Sequence, residues 1–317
     1  MSKNNWKFNN HTMNDNANTF LKYIALFSLI GGVGLITSSL NIFFTQAAPT
    51  QPASAILAVD RPYDFSDSDI VAKAAYVFDI NEGKALFKKN AEAQLPLASI
   101  AKIPVALLAK KYLSPEEMLT ITPYALTPEG DWGLTIGDSW KVSDLIDYTL
   151  MTSSNDGAAA LAEKIEEVSG EEVVTLLNNQ ASAMGLQQTY FLNETGLDSN
   201  IAFSGVYGSA QDVGTLFAQA YITAPDTLIA TAISERTYYS GEGLEYKAKN
   251  TNKAIGELPG LVFGKTGFTD LAGGNLAVVT ESEPGHPFVI VVFGSTIEDR
   301  FNDVVKLTRA TLRTPAK

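Results

Sequence analysis

Cysteine is absent from this 317-residue chain, which excludes a disulfide framework, a thiolate nucleophile and a cysteine-based zinc site. Histidine is nearly absent: His11 stands near the start and His286 sits in Pro284-Gly285-His286-Pro287. Two isolated imidazoles cannot assemble a histidine-rich metal centre, and a Ser-His-Asp triad would have to rest on His286, which reads as a turn residue. No metal or other cofactor is therefore expected. Positive charge is also scarce, with 23 Lys and Arg against 35 Asp and Glu, a formal net charge of -12. Such a surface repels phosphate backbones, so nucleic acid is not an expected partner. What is present is a globular composition, 45% hydrophobic and 18% charged, sufficient for one large domain or two modest ones.

One hydrophobic run stands apart from the rest. Tyr23 to Phe44 comprises 22 residues without a charge, and at about 1.5 Å per residue a helix of that length crosses a bilayer core. Lys3, Lys7 and Lys22 precede it with Asp15, whereas Asp60, Arg61, Asp64, Asp67 and Asp69 follow it. The positive-inside bias thus predicts a cytoplasmic tail over 1–22, a membrane anchor over 23–44 and an extracytoplasmic remainder. The run is long for a signal peptide and Thr45-Gln46-Ala47 is an imperfect cleavage site, which favours an uncleaved anchor; cleavage, with secretion of the remainder, is the alternative. Residues 45–70, rich in Ala, Pro, Ser and Asp, read as a linker to a domain over 71–317.

That domain opens as a hairpin: Ala74 to Asp79, a turn at Asn81-Glu82-Gly83-Lys84, then Ala85-Leu86-Phe87. Apolar residues then recur at three- and four-residue spacing over Ser99–Tyr112, Val142–Met151, Asp156–Val168, Glu171–Met184 and Ala210–Ile222, which predicts helices. Strands return at Leu261-Val262-Phe263, Asn275–Thr280 and Phe288–Gly294, and a helix is expected from Glu298 to Leu312. A sheet drawn from both ends of the chain around a helical insert is an α+β arrangement.

Three short motifs fall at the junctions of sheet and insert. Ser99-Ile100-Ala101-Lys102 opens a helix, where positions three apart share a face and a lysine amine can reach a serine hydroxyl. Lacking a usable histidine, a lysine with a depressed pKa can activate that serine. Ser153-Ser154-Asn155 is a polar turn between two helices and by itself reads as an N-cap. Lys265-Thr266-Gly267 ends an apolar strand, and its flanking glycines admit the close approach of another backbone. Each motif is weak alone. The second serine lies 54 residues after the first, and Lys265 follows 112 residues later.

In that order the three motifs resemble the signature of penicillin-recognising serine enzymes. The surrounding text resembles one branch, the serine D-Ala-D-Ala carboxypeptidases or low-molecular-mass penicillin-binding proteins. The likeness extends through Ala74–Asn90, Leu95–Lys102, Leu192–Asp198 and Lys265–Gly273, and covers about residues 71–313. It implies a β-lactamase/transpeptidase-like fold, a peptidoglycan stem peptide ending in D-Ala-D-Ala as substrate, and inhibition by β-lactams. It further implies Ser99 as nucleophile, Lys102 as base, Ser153 as proton relay, Asn155 as orienting group and Lys265 as a positive field that keeps Lys102 neutral. Thr266 and Gly267 would meet the substrate carboxylate and backbone, and the N–H groups of Ser99 and Phe268 would form the oxyanion hole. Arg300 resembles a carboxylate-binding arginine of some relatives and equally a surface residue at a helix start. Pro104 departs from the pattern by removing an N–H within the second helical turn and is shared more with β-lactamase-like relatives. A class A-like β-lactamase would need a glutamate to activate water, for which Glu194 is the candidate. A membrane-tethered peptidoglycan-binding protein without turnover is the remaining alternative.

Overall fold

The computed structural model describes residues 64–65, 69–130 and 133–312. The expected membrane segment at 23–44 and most of the linker lie outside the described residues. Among the described residues, no helix is long and apolar enough to cross a membrane.

Ala74–Asp79 (β1) and Lys84–Lys89 (β2) pair as the expected hairpin. Leu261–Thr269 (β3), Gly273–Glu281 (β4) and Pro287–Ser295 (β5) supply the rest of a five-stranded sheet in the order β3-β4-β5-β1-β2, each pair antiparallel. The two chain ends meet where β1 lies beside β5, with Ala74 opposite Phe293. Between them come α1 (Lys102–Tyr112), α2 (Val142–Thr152), α3 (Asn155–Ser169), α4 (Val173–Ala183) and α5 (Ala210–Thr223). Asp299–Leu312 forms α6.

Both faces of the sheet are covered, and the strand sequences show why. On β5, Val289, Val291 and Phe293 join the core made with the helical insert, while Ile290 and Val292 join the one under α6 with Phe301, Val304 and Leu307. A strand buried on both sides reads as an unbroken apolar run instead of an alternation. Each such side chain, fully buried, contributes about 1.5–3 kcal/mol relative to exposure.

The local differences from expectation concern the site. The helix expected from Ser99 begins as a 3₁₀ turn, Ala98–Ala101, and becomes α-helical only at Lys102. Pro104 is therefore the third residue of α1, within the first α-helical turn, where proline is tolerated. Lys265-Thr266-Gly267 lies within β3, not at its end, on an edge of the sheet. A hairpin of Glu235–Tyr239 and Glu245–Lys249 was not anticipated from the sequence.

Candidate active site

Ser99 sits in the 3₁₀ turn because several elements grip the residues before it. Asn275 on β4 donates from Nδ2 to Pro96 O at 3.0 Å, and Leu97 N donates to Val206 O at 3.1 Å. Two glycines let backbone approach this turn. A Cβ on Gly196, which has φ +77°, would fall 2.1 Å from Ala98 O, and one on Gly267 would fall 2.7 Å from Leu97 O. Ala98 itself takes φ 52°, a left-handed conformation that a non-glycine residue adopts only when its surroundings impose it.

One helical turn on, Lys102 is 1% exposed and its Nζ meets three oxygens: Ser99 Oγ at 3.0 Å, Asn155 Oδ1 at 2.8 Å and Thr195 O at 2.6 Å. The amide and carbonyl oxygens can only accept. A neutral amine therefore spends its two N–H groups on Asn155 and Thr195 and turns its lone pair to the Ser99 hydroxyl. Burial lowers the Lys102 pKa to about 7, against the opposing pull of the Glu194 carboxylate. Near neutrality the lysine is thus a competent proton acceptor, and burial is the main reason.

Asn155 begins α3, and its Nδ2 donates to Glu129 O at 2.7 Å, which fixes its Oδ1 toward Lys102. Ser154 is the N-cap of that helix, its Oγ accepting from Gly157 N at 3.0 Å. The capping reading of the Ser153-Ser154-Asn155 turn and its placement beside Lys102 therefore hold together. Ser153, with φ 63°, closes α2 in the left-handed region and presents its hydroxyl to Lys265 Nζ at 2.8 Å.

Lys265 follows core-facing Phe263 by two residues on β3, so its side chain points toward the helical insert. It is 1% exposed, and burial together with the charges of Lys102 and Arg300 lowers its pKa well below the usual lysine value. Thr266 Oγ1 lies 2.6 Å from Thr251 Oγ1. Phe268 stands 43% exposed at the mouth. Arg300 is no surface residue: it is 7% exposed and donates from Nη1 to Gly267 O at 2.8 Å.

These residues share one cleft of about 320 Å³, lined by Ser99, Ser153, Asn155, Thr266, Gly267, Phe268 and Arg300, with Lys102 and Lys265 buried against it. Thr251, Thr152, Leu197, Glu129 and Gly130 also line it and were not singled out from the sequence. Of the Leu192–Asp198 segment, the carbonyl of Thr195 and the backbone at Gly196 contact the motif residues, which the quoted likeness there could have signalled. Glu194 lines a separate cavity with Tyr124, Glu163, Glu166 and Glu172. His286 lies apart, its Nε2 2.9 Å from Asp79 Oδ2 and its ring stacked on Phe288. A groove of about 400 Å³ bordered by Leu113, Val142 and Ile146 contains none of the three motifs. Among the described residues no group of acidic, Cys or His side chains could hold a metal.

Residues 61–296 match the family model described as D-alanyl-D-alanine carboxypeptidase. The chain is 30% identical over 244 residues to the D-alanyl-D-alanine carboxypeptidase DacF of Bacillus subtilis, covering 74% of this chain and 61% of that protein. It is 27% identical over 275 residues to DacC of Escherichia coli, of the same description, covering 80% and 66%. The chain thus spans about two thirds or less of these relatives' length. A penicillin-binding protein of Listeria monocytogenes, solved in its ampicillin-bound form, superposes with a TM-score of 0.67 at 29% identity, covering 76% of this chain and 98% of that one. A sheet closed by both chain ends, three motifs gathered in one cleft and a family model spanning most of the described residues lead to one assignment: this chain belongs to the D-alanyl-D-alanine carboxypeptidase family.

Proposed function

We propose that the chain is a serine D-Ala-D-Ala carboxypeptidase that trims the terminal D-Ala from peptidoglycan stem peptides, and that β-lactams acylate the same serine. The observation that carries this reading is the buried Lys102 amine held by Asn155 and Thr195 with Ser99 as its third partner. Ser99 Oγ attacks the carbonyl of the penultimate D-Ala while its proton passes to Lys102, forming the C–O bond. The N–H groups of Ser99 and Phe268 receive the developing oxyanion. Ser153, whose hydroxyl lies against Lys265 Nζ, relays the proton taken up by Lys102 to the leaving amine as the C–N bond breaks and D-Ala departs. Water then cleaves the ester and restores Ser99. Lys265, Thr266 and Arg300 hold the terminal carboxylate; Thr266 and Arg300 line the Ser99 cleft, and Lys265 is buried against it. The cavity into which Glu194 faces is not the Ser99 cleft, which favours a carboxypeptidase over a β-lactamase.

Incubation with benzylpenicillin is expected to add one penicilloyl group at Ser99, located by peptide mass spectrometry, that persists for minutes or longer. A peptide ending in D-Ala-D-Ala is expected to lose one D-Ala, and an L-Ala terminus to be refused. An adduct on another serine would overturn the site, and rapid penicillin turnover that collapses in Glu194→Gln would decide for a β-lactamase.

The same proposal places residues 23–44 in the membrane, residues 1–22 in the cytoplasm and the catalytic domain outside the cell membrane. Support comes from the uncharged run and its flanking charges. Full-length protein should then resist an alkaline wash of membranes, and external protease should reach the domain but not Lys3. A mature N-terminus near Ala48 would show a cleaved signal instead.

A further inference from the structure

The cleft around Ser99 is charged in opposite senses on its two sides. Among its described lining residues Arg300 is the cation and Glu129 the acid. Arg300 belongs to the sheet side, anchored on Gly267 O of β3. Glu129 belongs to the loop before α2, which closes onto Asn155 at the start of α3.

The backbone of Glu129 is held in place and its side chain is not. Its carbonyl accepts from Asn155 Nδ2 at 2.7 Å, and Asn155 in turn accepts from Lys102, so the Glu129 backbone is two hydrogen bonds from the proposed base. Its carboxylate is exposed and has no hydrogen bond or ion pair among the described residues. Glu166, by contrast, accepts from Val173 N, Glu163 from Thr122 and Glu242 from Ser139. An unpaired anion held at the rim of a substrate cleft is a recognition element for a cation.

We propose that Glu129 is a specificity-determining residue, forming a subsite for a cationic side chain on the substrate residue that precedes the terminal D-Ala-D-Ala. This rests on the carboxypeptidase reading. With the terminal carboxylate at Thr266 and Arg300 and the scissile carbonyl at Ser99, the preceding residue continues past Ser99 toward Asn155 and Glu129. An ammonium on a flexible stem of about four carbons can then meet the carboxylate. The contact is solvent-exposed, so it is worth about two- to five-fold in kcat/KM, in the range of surface ion pairs. It forms before and persists through the reaction, so it acts on KM more than kcat.

The test compares Nα-acetyl-L-Lys-D-Ala-D-Ala with its Nα,Nε-diacetyl counterpart, measuring released D-Ala from the full chain. The wild-type enzyme is expected to prefer the free amine about two- to five-fold through KM, with the preference shrinking at high salt. In Glu129→Gln the ratio should fall to about one, and in Glu129→Lys the diacetyl peptide should be preferred. Mere disturbance of the loop would slow both peptides together and leave the ratio intact, which would overturn the proposal. So would equal use of both peptides by the wild-type enzyme, with the carboxypeptidase reading untouched. Release of D-Ala from neither peptide would overturn that reading and this subsite with it.

Discussion

A lysine taken out of water gives up its proton more readily because burial penalises the ammonium, and Lys102, with three oxygen partners but almost no exposure to solvent, is in that situation. With its pKa near 7, the neutral form that can accept the Ser99 proton grows as pH rises through that value. The acylation rate should rise along the same limb. Glu194 pulls the pKa upward, so Glu194→Gln should shift the limb toward acid and raise the rate below neutrality. The gain should stay under about ten-fold, the effect of a full pKa unit. Stopped-flow acylation by a chromogenic cephalosporin across pH measures it; an unmoved limb would remove Glu194 from the control of this base. Lys102→Ala should cost on the order of four decades of acylation rate while unfolding stays cooperative. Near-normal labelling of that variant, read by intact mass, would take Lys102 out of the mechanism.

The 3₁₀ turn that carries Ser99 is held from outside, and its weakest point is a glycine elsewhere in the chain. Gly196→Ala forces a left-handed non-glycine residue, a cost of about 1–3 kcal/mol, and sets a Cβ against the Ala98 carbonyl. The expected result is a lower denaturant midpoint together with slowed acylation, because the obstructing atom is backbone of the nucleophile turn. Unchanged acylation in a folded variant would show that the turn keeps its shape without Gly196. The elements around this turn were legible in different degrees. The β1–β2 hairpin and the helices from Val142 to Thr223 are visible because each leaves a regular apolar spacing. The hairpin at Glu235–Tyr239 and Glu245–Lys249 leaves none: only Tyr238 and Ala248 are buried, among charged and exposed neighbours. The left-handed Ala98 and the partnership of Thr251 with Thr266 are likewise silent, since both are imposed by segments distant in sequence. Arg300 was ambiguous because helix position alone does not tell whether an arginine turns inward. The spacing of the three motifs was informative for the opposite reason, as each names a chemical type that the cleft brings together.

At the scale of the whole domain, α6 both covers one face of the sheet and closes its seam. Buried Asp303 accepts from Val71 N at 3.0 Å, Ala72 N at 2.9 Å and Ser295 Oγ at 2.8 Å. Removing α6 by ending the chain at Ser295 would expose Leu276, Val278, Ile290 and Val292 and strand those N–H groups. Such a chain should show no cooperative thermal transition by circular dichroism and form no penicilloyl adduct; a cooperative, labelled product would show that the other core suffices. The Asp303–Val71 bond spans 232 residues of sequence. Contacts that distant must overcome a large loop-closure entropy before they repay it, and they slow folding. During synthesis β1, β2 and the nucleophile turn are made first and wait, with the β1 edge unpaired, until β5 and α6 leave the ribosome. The reactive serine is among the early residues to be translated, and its surroundings are among the last to be completed.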